Sequence, residues 1–382
     1  MHEKPEERKV SRRRFLQTTG GTAAGLGALS LGMIGGEIPG SAQAVPTRDD
    51  YLSYAAAGAA ALQGWYNSGS GLWDTTGWWQ SGNNLTTIAE YTQWTGDTTY
   101  LADIADTFTA AQKTHVNFEN YFYDDSGWWA LGWVAAYDVT GDTTYLDMAK
   151  RIFTFMTGGW DPSTCGGGVW WSLARSYKNA IANELFLSLA AALHLRTPGD
   201  QGQGSYLDWA LKEWNWFKAS GMINSSGLVN DGLNSMCSNN GGTTWTYNQG
   251  VILGGLAGLY RGTNDLSYLQ QGDGIANAAI RALTNTDGIL VEPCGLNGCD
   301  SDQVRFKGIF VRNLYAFYLV SPRPLYRAFI LRNAASIWAS DRNASNQFGL
   351  SWAGPFDTAD ATRQGSALDA LNSAVGLFGP AR

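Results

Sequence analysis

Two stretches of this chain repeat one another, and the repeat leaves few architectures open. Trp73-Asp74-Thr75-Thr76-Gly77-Trp78-Trp79 is echoed by Tyr123-Asp124-Asp125-Ser126-Gly127-Trp128-Trp129. Setting residues 80–84 aside as an insertion brings 85–97 beside 130–142 in register. Both copies end on one turn, Thr95-Gly96-Asp97-Thr98-Thr99-Tyr100-Leu101 and Thr140-Gly141-Asp142-Thr143-Thr144-Tyr145-Leu146. A weaker copy is Thr263-Asn264-Asp265-Leu266-Ser267-Tyr268-Leu269, and another runs from Thr197 to Leu207. Each unit reads as a Gly/Trp-rich loop, an apolar helix, a short Gly-Asp turn and a second helix with one polar face. Gly accepts the left-handed conformation that ends a helix, and Asp caps the start of the next.

Six loop-fed apolar helices are expected near residues 85–94, 128–139, 177–195, 246–260, 305–319 and 364–378. Stretches such as 180–195 and 250–259 are apolar almost all round, which predicts burial on every side. Six buried helices alternating with six amphipathic ones describe an all-α (α/α)6 toroid. Hydrophobic residues at 44% and charged residues at 15% suit a large core. No Pro/Gly/Ser linker divides residues 45–382, so a single domain is expected. Every long loop precedes an inner helix, so the loops gather at one end of the ring. Function is expected at that mouth.

The first 44 residues are set apart as an export signal. Ser11-Arg12-Arg13-Arg14-Phe15-Leu16-Gln17 resembles the twin-arginine motif, differing at its last position. A Gly/Ala-rich apolar stretch over 20–36 follows, then the small-x-small site Ala42-Gln43-Ala44. The order predicts a secreted protein, and the apolar stretch is too short for a membrane span. Removing it takes the formal charge from −7 to about −9. An acidic surface argues against nucleic acid or anionic membrane as partners and suits a neutral polysaccharide. A monomer is expected.

Outside the cytoplasm, disulfides are permitted. Cys294 and Cys299 bracket a four-residue loop able to close, which would leave Cys165 and Cys237 as a second pair. Three pairings are formally open, as are free buried thiols.

Residues 45–382 hold only His115 and His194 and no CxxC, so no zinc site of usual composition can be assembled. There is no G-x-S-x-G elbow and no P-loop. The Asp-rich turn at 138–142 lacks the EF-hand spacing. Neither metal nor cofactor is expected, and carboxylate chemistry remains. Asp124 and Asp125 lie just ahead of an apolar helix at the loop-rich end. In the gapped alignment Asp74 stands for Asp124 and Thr75 for Asp125. One aspartate thus reads as a recurring helix cap, and the second as a carboxylate special to that unit. Paired carboxylates suit glycoside cleavage. One attacks the anomeric carbon or activates water, and the other protonates the leaving oxygen. Mutual repulsion and an aromatic wall raise one pKa, while helix-terminal amides keep the other low. Neighbouring residues can set their carboxyls about 5 Å apart, the retaining spacing.

Sugar rings pack on indole, and the chain holds 17 Trp and 17 Tyr. Trp78, Trp79, Trp128, Trp129 and Trp171 stand at loop–helix junctions, where one ring of each pair packs between helices and the other faces the groove. Asp231, Tyr247, Asn248 and Gln249 bring polar groups to a fourth loop, with turn and cap chemistry as the alternative. Asn179 and Asn183 share a helix face; they hydrogen-bond inside the ring or reach substrate. Asp302 and Lys307 stand at the fifth junction with the same ambiguity.

Tyr123-Asp124-Asp125-Ser126-Gly127-Trp128-Trp129-Ala130-Leu131 resembles the Asp-Asp signature of glycoside hydrolase family 76, the α-1,6-mannanases. Supporting stretches are Gly167-Gly168-Val169-Trp170-Trp171, Asn179-Ala180-Ile181-Ala182-Asn183-Glu184-Leu185-Phe186, Thr246-Tyr247-Asn248-Gln249-Gly250-Val251 and Phe306-Lys307-Gly308-Ile309-Phe310-Val311-Arg312. The resemblance implies an (α/α)6 fold and retaining hydrolysis inside α-1,6-linked mannan. It also implies Asp124 as nucleophile and Asp125 as acid/base. Competing readings are a non-catalytic α-mannan-binding protein and another (α/α)6 glycosidase or transglycosylase.

Overall fold

A computed structural model describes residues 45–295 and 298–379; the expected export signal lies outside them. Inner and outer helices alternate along the chain. The inner ones are α2 (Trp78–Thr95), α4 (Tyr123–Thr140), α6 (Ala180–His194), α8 (Thr246–Thr263), α10 (Phe306–Tyr318) and α12 (Ala361–Gly376). The outer ones are α1 (Arg48–Gln63), α3 (Leu101–Ala110), α5 (Thr143–Thr157), α7 (Tyr206–Ala219), α9 (Leu266–Ala282) and α11 (Pro324–Ser340). Each inner helix packs on the next, and α12 closes the ring on α2. All six expected inner helices are present, and the two-stranded hairpin β1 (Tyr66–Asn67) with β2 (Leu72–Trp73) is the one sheet among the described residues. The unit from Pro46 onward is compact. No described helix is long and apolar enough to cross a membrane.

The repeated turn explains itself atom by atom. Gly96 and Gly141 take left-handed conformations at φ 76° and 72°, and Asn264 does the same at 60°. The Thr before each returns its hydroxyl to the helix and accepts the N–H of the following Asp. That Asp then accepts the N–H two residues on: Asp97 from Thr99, Asp142 from Thr144 and Asp265 from Ser267.

The repeat itself is corrected. Helices α2 and α4 are each 18 residues long and end on equivalent glycines. Their register is therefore ungapped, with Ser81-Gly82 matching Ser126-Gly127. Asp124 and Asp125 correspond to Trp79 and Gln80, not to Asp74 and Thr75. Asp74 lies upstream, after the hairpin, where its N–H bonds the Trp65 carbonyl. The shared Asp-x-x-Gly-Trp-Trp letters fall at different points of the two helix starts.

The middle of the ring holds charge. Arg305 and Arg312 reach Asp369 at 3.0 and 3.2 Å, and Arg305 also donates to Thr87 at 2.7 Å. Asp369 and Arg305 are wholly buried, and the network ties α2, α10 and α12 by charge-assisted bonds made through one nitrogen of Arg305 and both terminal nitrogens of Arg312. Burial pushes Glu90, beside this cluster, up to about 7.

Candidate functional site

Loops 64–77, 111–122, 158–179, 220–245, 283–305 and 341–360 precede the inner helices and form the mouth. Neighbouring loops are stitched by backbone bonds. Tyr123 N–H donates to the Trp171 carbonyl at 3.0 Å, Leu173 N–H to Tyr121 at 3.0 Å, and Ala180 N–H to Asp231 at 2.8 Å. The disulfide Cys165–Cys237 joins the third loop to the fourth, and Cys294–Cys299 closes part of the fifth. Lys178 braces the third loop from within, donating to the carbonyls of Asp161, Thr164 and Gly167.

Asp124 and Asp125 lie in the first turn of α4 rather than ahead of it, after Phe122 at the cap position. Successive helix residues are turned by about 100°, so the two carboxyls face different neighbours. Asp124 accepts the Asp125 N–H at 3.0 Å and the Trp171 indole N–H at 2.9 Å. Asp125 accepts the Asn120 side-chain amide at 2.8 Å. The first carboxylate is thus held from the third loop and the second from the second loop. Both are buried, and the helix N-terminus favours negative charge at this point.

From Trp128, one helical turn on from Asp124, four aromatic rings of four inner helices form a closed set. Tyr247 stacks on Phe306 at 3.7 Å, Trp79 lies 5.7 Å from Trp128 and 6.2 Å from Phe306, and Trp128 lies 6.4 Å from Tyr247. Trp79, Trp128 and Phe306 are buried, so the set packs the inner helices together and excludes water beside the pair. Trp79 and Gln80 both donate to one oxygen of Asp302, at 2.8 and 2.7 Å. Asp231 accepts the Tyr177 hydroxyl at 2.5 Å, and Asn240 donates to that hydroxyl at 2.9 Å. Glu184, buried on α6, is held well above the usual carboxylate range by desolvation, with the charge of Asp231 adding to it.

Several expected contact residues are turned away from the mouth. Trp129 has no exposed surface and packs on Trp78, Phe118 and Trp133. Trp78 leans on the same cluster and on His115, toward the outer layer. Gln249 spends its amide on Val229 N–H and carbonyl and on the Trp245 carbonyl. Asn179 caps α6 by accepting the Ala182 N–H, while Asn183 pins Val169. Lys307 donates to the Leu350 carbonyl at 2.6 Å and lies 4.2 Å over Trp352, and burial pulls its pKa down to about 7. Asn248 is fully buried too, but unlike that of Gln249 its side-chain amide has no hydrogen-bond partner among the described residues. For Asn179, Asn183, Gln249 and Lys307 the cause is geometry: each stands near an inner-helix start on the flank that faces the next helix or loop, where the polar group finds a backbone partner. Trp79, Trp128, Trp171, Asp231 and Tyr247 remain with the Asp pair at the mouth. Asn120, Tyr177 and Phe306 join them without having been singled out. Asn120 and Tyr177 sit in irregular loops whose contacts no periodicity predicts. Among the described residues, no group of three or more His, Cys, Asp or Glu could hold a metal ion.

A family model described as glycosyl hydrolase family 76 matches residues 53–379. Mannan endo-1,6-alpha-mannosidase DCW1 of Candida albicans is 30% identical over 254 residues, covering 60% of this chain and 55% of that protein. Mannan endo-1,6-alpha-mannosidase DFG5 of Saccharomyces cerevisiae is 31% identical over 217 residues, covering 52% and 46%. The chain spans about half the length of the curated relatives it matches. Among solved structures, the alpha-1,6-mannanase GH76A of a Salegentibacter species superposes with a TM-score of 0.76 at 22% identity, over 85% of this chain and 99% of that one. It was solved as an inactive variant, two aspartates replaced by alanine, in complex with alpha-1,6-mannotetrose. Dfg5 from Chaetomium thermophilum, in complex with glucosamine, superposes with a TM-score of 0.78 at 22% identity, over 88% and 93%. These structural likenesses are of fold, the (α/α)6 toroid. With the family model spanning nearly all of the described ring and the paired aspartates at its mouth, the chain belongs to glycosyl hydrolase family 76.

Proposed function

We propose that the chain is a secreted, retaining glycoside hydrolase that cleaves internal α-1,6-mannosidic bonds of α-mannan. Asp124 acts as nucleophile and Asp125 as acid/base. The observation that carries the reading is the adjacent pair itself, buried at the mouth and held by N–H donors from two separate loops. In the first step Asp124 attacks the anomeric carbon while Asp125 gives its proton to the departing glycosidic oxygen. In the second, Asp125 takes a proton from water, whose oxygen attacks the glycosyl ester and releases Asp124. The indole of Trp171 and the amide of Asn120 fix the two carboxyls in place, which is worth most in a water-poor site. Support for the substrate comes from the curated relatives, named mannan endo-1,6-alpha-mannosidases. It comes also from the mannanase that binds alpha-1,6-mannotetrose once two aspartates are replaced. Export is supported by the twin-arginine-like motif and by two disulfides, which persist in oxidising compartments.

The test is digestion of unbranched α-1,6-mannan by purified protein, with product size and anomeric configuration followed by NMR. The expected outcome is a falling average chain length with α-configured ends appearing first. Initial β-configured ends would remove the retaining mechanism, and an undigested polymer would remove the reading.

A further inference from the structure

Nearly every aromatic side chain of this protein is packed away, and the exceptions are informative. Among the described residues only Tyr121 and Phe378 are exposed aromatics. Phe378 follows the C-terminus of α12, at the far end of the ring. Tyr121 is at the mouth, three residues before Asp124, with 52% of its surface in solvent. Leu173, 48% exposed, stands opposite it across the backbone pairing of the second and third loops.

The two are joined to the Asp pair by continuous contact. The Tyr121 ring meets Phe122 edge-on at 5.3 Å, and Phe122 lies 4.9 Å from Trp171. Trp171 donates to Asp124. The ribbon is stiffly mounted. Phe118, wholly buried among Trp78, Phe108, Trp129 and Trp133, anchors the second loop. Asn117 and Phe118 both hold left-handed conformations, at φ 58° and 61°, which non-glycine residues keep only under packing constraint. A rigid aromatic left in solvent, continuous with a catalytic mouth, gives up burial that the fold grants its other rings. An apolar surface with one wet edge suits the C–H face of a sugar.

We propose that Tyr121 and Leu173 form an outer subsite that receives a mannosyl unit of the same polysaccharide, beyond the units held at Asp124 and Asp125. The ligand is a neutral pyranose of a chain long enough to run from the pair past Trp171 to the rim. The subsite rests on the functional reading above. It makes the enzyme prefer long chains over short ones, because only a long chain reaches the rim ring.

The experiment compares kcat/KM on unbranched α-1,6-mannan with kcat/KM on the shortest α-1,6-mannooligosaccharide that the wild type cleaves. In Tyr121→Ala the long-to-short ratio falls about fivefold to tenfold, through KM on the polymer. Tyr121→Phe, which keeps the ring, restores the ratio. Leu173→Ala lowers it in the same direction by less. A ratio unchanged in Tyr121→Ala, or equal losses on both substrates, overturns the subsite while leaving the hydrolase reading intact. A wild type that cleaves neither substrate overturns that reading, and the subsite with it.

Discussion

The first turns of α2 and α4 occupy equivalent places in the ring and carry opposite chemistry. Each opens an 18-residue inner helix, each has Ser-Gly at its fourth and fifth positions, and each ends on a left-handed glycine. At the second and third positions α2 places Trp79 and Gln80, whose N–H groups both point at Asp302 of the fifth loop. At the same positions α4 places Asp124 and Asp125, which receive N–H groups from Trp171 and Asn120. One helix start supplies donors to a loop carboxylate, and the other supplies carboxylates to loop donors. The scaffold therefore sets where polar groups converge, and the residue identity at two positions decides whether the helix start donates to a loop carboxylate or presents the carboxylates proposed to be catalytic.

Each arrangement also depends on a disulfide-held loop, and there the largest stability difference is expected. Trp171 lies on the loop tied by Cys165–Cys237, with a sequence separation of 72, and Asp302 on the loop closed by Cys294–Cys299, with a separation of 5. Loop-closure entropy makes the first bridge worth roughly 4 kcal/mol and the second roughly 2 kcal/mol. Cys165→Ser/Cys237→Ser is expected to lower the unfolding midpoint in denaturant by more than Cys294→Ser/Cys299→Ser. Equal shifts would show that the two sides of the mouth are braced alike.

The next effect distinguishes the two donors directly. Trp171→Phe removes one N–H from Asp124. A bond to a charged group contributes about 1.5–3 kcal/mol, so kcat/KM on α-1,6-mannan should drop about 10- to 100-fold. Trp79→Phe removes the matching N–H from Asp302 and should act mainly on stability, by about 1 kcal/mol, read as a lower melting temperature. If Trp79→Phe loses as much kcat as Trp171→Phe, the distinction between the two helix starts disappears.

A separate effect, read along pH, is a stability slope in the fifth loop. Burial raises Glu292 to about 8, where its carboxyl receives the N–H and hydroxyl of Thr246 at the start of α8. The folded chain then holds a proton that the unfolded chain has released. This contribution is full below about pH 4.5 and is lost as pH rises toward 8. Glu292→Gln should flatten the fall in melting temperature between those limits. A variant that keeps the wild-type slope places the pH dependence in other buried acids.

The sequence made the ring legible because its cues are local. Thr-Gly-Asp turns, caps and near-uniform apolarity of the inner helices need only neighbours in the chain, and all six inner helices follow from them. The Asp pair was legible as letters, but its register was not. Matching Asp-x-x-Gly-Trp-Trp by identity invited a gap, whereas helix length and the closing glycine align Trp79 and Gln80 with the aspartates. Contact residues were harder still. Gln249 and Lys307 have the residue types of a sugar site, yet their backbone partners come from loops distant in sequence. Arg312 lies within a legible helix and Arg305 just before its first residue, but their counter-charge Asp369 arrives from α12.

The most direct measurement is the activity of Asp124→Asn and Asp125→Asn, each assayed on unbranched α-1,6-mannan beside the wild type, with circular dichroism as the control for folding. Each change keeps the shape of the side chain and removes its capacity for charge. Each variant should keep the wild-type spectrum and melting transition while kcat falls by about 10³-fold or more. A folded variant of either residue with near-wild-type turnover would contradict the assignment of the pair as the catalytic carboxylates.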